Sequence, residues 1–304
     1  MPPFDGIFLL LFRCLLSTTI SGALLFVFLR FTRVWHPQVR LALCWSAVAG
    51  SLISPLVPHP YVFARPYAVG LEAIRLSPWI VGAWIVAIAV LMARYASAQF
   101  AADGIRCRAT PVEKDFPMET SVPLLTSNEI RSPAVFGVLK PAILIPAAHQ
   151  LSPEELRMIL SHETAHIRRG DPMLNCFLNL LGVLLCFCPG VWWMCGQVRK
   201  ERENACDDMA LASGGSALVL SQALLKVAEQ CCNRTRPLVC ACGGLLENRV
   251  RRMLTGRTAP LRKRSLWIAL LLLAAAYASV PEIPGVDQLE KGIRRVIVRQ
   301  EISR

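Results

Sequence analysis

Two histidines and a glutamate stand in the pattern His162-Glu163-Thr164-Ala165-His166. On a helix, side chains four positions apart lie one turn above each other on one face. Both imidazoles can then address a single zinc ion, and Glu163, beside that face, is within reach of a metal-bound water. The chemistry this predicts is hydrolysis, with zinc as Lewis acid and Glu163 as the catalytic base. Two imidazoles do not complete such a site, because catalytic zinc takes three protein ligands and keeps a fourth position open.

The candidate third ligand is Glu203, in Glu201-Arg202-Glu203-Asn204-Ala205-Cys206-Asp207. Asp207 lies four residues on, on the same helix face, where it can accept a hydrogen bond from the outer nitrogen of a ligand histidine and fix its tautomer. Asp171 has two readings, a helix-stop residue before Pro172 or a group behind a ligand. Glu201 reads as a surface charge. Cys206 reads as packing, and Arg249, Arg251 and Arg252 as a stripe facing solvent or lipid headgroups.

The elements must bring 162–166 and 203–207 together. Ser152-Pro153-Glu154-Glu155 is a helix start, with Ser152 as N-cap, Pro153 at N1 and Glu155 closing a capping box. That helix runs to Gly170. Before it, the stretches 122–126, 134–138 and 142–146 are short apolar runs bounded by Pro133, Gly137, Pro141 and Pro146, the pattern of short strands. Residues 101–120 read as a polar linker. Helical stretches are expected from Arg199 to Gly214, from Ser221 to Cys231 and from Leu245 to Leu254.

The chain is 54% apolar and carries 33 Lys+Arg against 21 Asp+Glu, a net charge of +12. This is too apolar for an ordinary soluble enzyme. With long apolar runs present, the basic excess points to anchoring at a cytoplasmic membrane face, and no direct nucleic-acid contact is expected. Twelve Cys, many inside apolar runs, read as reduced thiols that pack as small hydrophobes. Residues 7–29 are long enough to span a bilayer; a signal peptide is the alternative, but the run is too long and lacks a basic start. Further spans are expected at 41–57, 79–93 and 266–280, four in all. The basic clusters at 30–40, 94–108 and 262–264 then share one side, which the positive-inside rule makes the cytoplasm, although the basic tail 291–304 argues the other way.

The expected organisation is an N-terminal membrane domain (1–96), a cytoplasmic metallopeptidase domain (97–264), a fourth transmembrane helix (265–280) and a short tail (281–304). Residues 173–195 are apolar enough to cross, but a crossing would part Glu203 from the histidines. Two short helices hinged at Cys188-Pro189-Gly190 that re-enter or lie on the membrane keep them on one side.

The succession Ser132-Pro133-Ala134-Val135-Phe136-Gly137, Pro141–Pro146, Leu160–Asp171, Pro189 with Trp192, and Glu201–Asp207 resembles the BlaR/MecR family of integral membrane zinc metallopeptidases. The resemblance covers roughly residues 1 to 255. It implies a mainly α membrane protein with a gluzincin-like α+β domain on the cytoplasmic face, Zn2+ on His162, His166 and Glu203, and Glu163 as the catalytic residue. It also implies signal transduction at the bacterial inner membrane, by cleavage of a cytoplasmic partner such as a winged-helix repressor, with autocleavage. The best understood members carry an extracellular penicillin-binding sensor after the last span. Residues 281–304 hold no Ser-x-x-Lys motif, so the signal is expected to come through a partner, the 58–77 loop or the tail. A membrane quality-control protease and a silent receptor or scaffold are the competing functions. The oligomeric state is open, a homo-oligomer included.

Overall fold

The computed structural model describes residues 3–31, 36–53, 71–112, 122–232 and 243–256. Three helices come first: α1 (Pro3–Phe31), α2 (Pro37–Ile53) and α3 (Leu71–Arg108). Among the described residues, two helices are long and apolar enough to cross a membrane, within α1 at Leu10–Arg30 and within α3 at Pro78–Arg108. α2 has 17 residues, about 26 Å at the helical rise, and falls short of that length. The span expected at 266–280 lies outside the described residues. The linker expected at 101–120 is corrected over its first part, since α3 continues without a break to Arg108.

A four-stranded sheet follows: β1 (Thr110–Pro111), β2 (Leu124–Ser127), β3 (Ala134–Phe136) and β4 (Ala142–Pro146), in the order β1-β2-β4-β3. β2 runs parallel to β4, with Leu125 opposite Leu144, and the outer pairings are antiparallel. Every residue of β4 is buried, which fits a central strand covered on both faces and explains its unbroken apolar sequence.

The remaining elements are helices: α4 (Pro153–Arg168), α5 (Asp171–Leu184), α6 (Pro189–Ala212), α7 (Ala217–Cys232) and α8 (Gly243–Thr255). α4 starts on the capping box: the Ser152 hydroxyl accepts from the Glu155 amide, and the Glu155 carboxylate accepts from the Ser152 amide at 2.8 Å. Its apolar side, with Leu156, Ile159 and Leu160, packs against β4, α7 and the end of α6. The apolar stretch after α4 breaks between Leu184 and Pro189, so α5 and α6 form a helical hairpin.

The helix expected to open at Arg199 starts ten residues earlier, at Pro189. No Gly or Pro stands between Gln197 and Ala212 to stop it, and the change from apolar to charged sequence at Arg199 marks a change of surroundings. The first half of α6 is buried against α1, α2 and α5 through Val191, Met194, Cys195 and Val198. The helices meet closely there. A Cβ added at Gly190 would lie 2.9 Å from the Thr18 carbonyl carbon of α1. The second half of α6 faces α4 and α8, and there the candidate ligands stand. Nine cysteines among the described residues are free thiols.

Candidate metal centre

His162 and His166 project from the third and fourth turns of α4. Their Nε2 atoms are 3.2 Å apart and the rings meet edge to face. Glu203, on α6, closes the group: its carboxylate oxygens lie 3.6 Å from His162 Nε2 and 3.7 Å from His166 Nε2. One ligand atom from each residue falls within 4.8 Å of the others. Residues separated by about forty positions in sequence thus converge, because the α5–α6 hairpin brings the second half of α6 back across α4.

The outer ring nitrogens are each faced by a carboxylate. His166 Nδ1 donates to Asp171 Oδ2 at 2.7 Å. His162 Nδ1 faces Asp207 Oδ1 at 3.1 Å. Asp171 is not a helix-stop residue: it is the first residue of α5, after Gly170 in the left-handed region at φ 70°. Such a turn suits glycine, since a Cβ is strained there, and it folds Asp171 back under His166. Asp207 sits one turn beyond Glu203 on α6 and is fully buried. Cys206 packs between the parts, with its Sγ 3.4 Å from Asp171 Oδ2.

Three charged residues sit differently from their sequence reading. Arg249, read as part of an outer stripe, is largely buried, and its Nε and Nη2 donate to both oxygens of Asp207 at 2.9 and 2.7 Å. Its Nη1 lies 3.3 Å from Glu203 Oε2. Arg252 pairs with Asp208 and donates to the Asn204 carbonyl at 2.8 Å. Only Arg251 keeps the exposed place expected of it, paired with Glu247 on its own helix. Glu201, read as a surface charge, is 1% exposed. It accepts from Arg40 of α2 and from Asn204, at 2.8 and 3.1 Å.

The electrostatics follow from burial and these pairs. Burial pushes the Glu163 carboxyl up, and neighbouring Glu203 adds to this; the two histidines and Arg249 offset it only in part. A raised carboxyl suits a group that must take and return a proton near neutral pH. Burial alone would raise Glu203 too, but His162, His166 and Arg249 hold it well below the usual carboxylate range. Asp207 is held down in the same way by His162 and Arg249. Burial works against a charge on His166, yet Asp171, Cys206 and Glu203 together push it up to about 12.

These donors fit a divalent metal. With both Nδ1 atoms turned to carboxylates, the two Nε2 atoms and the Glu203 carboxylate face one another, and a metal that binds there would displace the proton from Nε2. Arg249 brings one positive charge to the edge of this group, 3.3 Å from Glu203 Oε2 and 3.4 Å from His162 Nε2; a metal ion would supply the charge at its centre. Two imidazole nitrogens and one carboxylate oxygen form a donor set that zinc takes in hydrolases.

Comparison with known proteins gives the family of this chain. Regulatory protein BlaR1 of Bacillus licheniformis is 34% identical over 96 residues, which are 31% of this chain and 16% of the relative. The chain therefore matches only a small part of that protein's length. The profile of the BlaR1 peptidase M56 family matches residues 67–257, more than half of the chain and inclusive of every group around the histidines. The chain belongs to the BlaR1 peptidase M56 family.

Proposed function

We propose that this protein is a membrane zinc endopeptidase of regulatory type, with His162, His166 and Glu203 as metal ligands and Glu163 as the catalytic base. The observation that carries the reading is the convergence of the two Nε2 atoms and the Glu203 carboxylate. When bound there, zinc supplies Lewis acidity to the scissile carbonyl and acidifies water. The chain's own residues do the rest. Glu163 takes a proton from water and returns it to the leaving amine, a role its raised carboxyl suits. Asp207 and Asp171 fix the tautomers of His162 and His166 so that both Nε2 atoms point inward. Arg249 keeps Asp207 and Glu203 ionised and in place.

The substrate in this reading is a cytoplasmic protein, with a winged-helix transcriptional repressor as the leading candidate and this chain itself as a second target. Support for a cytoplasmic site comes from Arg40. It belongs to the basic cluster at the end of the first apolar helix, donates to the Leu29 carbonyl at 3.3 Å, and binds Glu201 two residues from Glu203. The candidate centre therefore lies at the basic end of that helix, the end kept inside by the positive-inside rule.

Glu163→Gln tests the reading. The variant is expected to keep zinc and lose cleavage by about 10²–10⁴-fold, the scale of general-base catalysis. Termini of cellular proteins compared between wild type and Glu163→Gln identify the substrate. Full biological activity in Glu163→Gln would sink the enzyme reading. Broad loss of cleavage among unfolded membrane proteins, with no repressor among the targets, would replace signalling with quality control.

A further inference from the structure

The family match begins at residue 67, so α1 and α2 lie outside it. Besides the apolar packing, a charged side chain from that region pairs with the helix that carries Glu203. Arg40 Nε and Nη2 both lie 2.8 Å from Glu201 Oε1, with the two side chains 12% and 2% exposed. The other Glu201 oxygen accepts from Asn204 Nδ2 at 3.1 Å. Asn204 in turn accepts at its carbonyl from Arg252 of α8. A polar chain thus runs from the end of α1, through α2, to α6 on both sides of Glu203, and on to α8.

A helix that presents a ligand must be fixed in rotation about its axis. Neighbouring positions on an α-helix are about 100° apart, and a small turn of α6 moves the Glu203 carboxylate off the Nε2 pair. The apolar packing of α6 against α1 and α2 is non-directional and sets this angle weakly. A buried arginine–carboxylate pair is directional and sets it strongly.

We infer that Arg40 is a positioning residue for the metal centre: by holding Glu201 it fixes the rotation of α6 that points Glu203 at His162 and His166. The inference rests on the reading of Glu203 as a metal ligand. Removing Arg40 leaves Glu201 buried without its charge partner, with only the Asn204 amide bonded to it, so stability falls as well. The two effects separate in a double variant, because a buried ion pair replaced on both sides by apolar groups often keeps its stability.

The test uses the full chain in detergent, with zinc alone as probe and a chelator as competitor, alongside thermal unfolding. Arg40→Met is expected to weaken zinc binding about tenfold, the lower end for groups behind a ligand. Arg40→Met/Glu201→Met is expected to recover the unfolding temperature but not the zinc affinity. Arg30→Met, an exposed change of equal charge in the same basic cluster, is expected to bind zinc as wild type does. Wild-type affinity in Arg40→Met, or recovery of both quantities in the double variant, would overturn the inference. His162→Ala distinguishes the two levels: if it leaves zinc binding unchanged, the ligand reading itself fails, whatever Arg40 does.

Discussion

The described residues form two apolar clusters, and these differ in what they hold. One joins α1, α2, α5 and the first half of α6, with Leu25, Leu43 and Met194 among its buried side chains. The other joins the sheet, α4, α7, α8 and the end of α6, around Ile143, Leu160 and Leu220. The first places α1, one of the two membrane-length helices, against α6. The second carries the histidines on α4. The candidate metal centre draws His162 and His166 from the second, and Glu203 from a helix rooted in both. Its geometry therefore depends on two kinds of packing at once.

The same truncation in each cluster tests whether they differ in kind. Leu160→Ala removes a fully buried side chain on the core face of the histidine helix and is expected to cost about 2–5 kcal/mol, from lost transfer energy and a residual cavity. Leu25→Ala, equally buried on α1, is expected to cost roughly half as much. Lipid is as apolar as leucine, so only the packing part of the cost remains. Thermal unfolding of both variants in the same detergent measures the gap. An equal or larger loss at Leu25 would break the comparison.

Gly190→Ala sharpens it within the first cluster. The added methyl would meet the Thr18 backbone, which cannot rotate away as a side chain can. The expected loss is about 1–3 kcal/mol, with weaker zinc binding because α1 and α6 are forced apart. The smallest effect lies in the second cluster. Glu155 is held below the usual carboxylate range: Lys226 does most of this, against burial, and the Ser152 amide helps. Because the folded value is depressed, the stabilisation is present above the ordinary value near 4.5 and is lost as pH falls through the folded one. Lys226→Met is expected to flatten the acid limb of a stability-versus-pH curve by less than about 1 kcal/mol.

The sequence showed the local parts of this architecture well. The capping box, the strand runs and the four-residue spacings are short-range signals, and each is tied to a local physical cause. Glu203 and Asp207 share a helix face by spacing alone, and the structure places that face against α4. What the sequence hid were contacts between distant segments. Arg249 and Arg252 look like any basic helix face until α8 is laid on α6. Glu201 looks like a solvated charge until α2 supplies Arg40. The start of α6 was misplaced because its surroundings change at Arg199, while its backbone does not. The helical sequence from Ala101 to Arg108 resembles a linker for a similar reason: its polar residues reflect exposure, not a break.

The continuity of α6 has a mechanical consequence. Its 24 residues form a rod about 36 Å long, seated at one end against Thr18 and Gly22 and bearing Glu203 and Asp207 toward the other. Because Glu203 and Asp207 are spaced one turn apart on that helix, any rotation of α6 about its axis carries both carboxylates the same way.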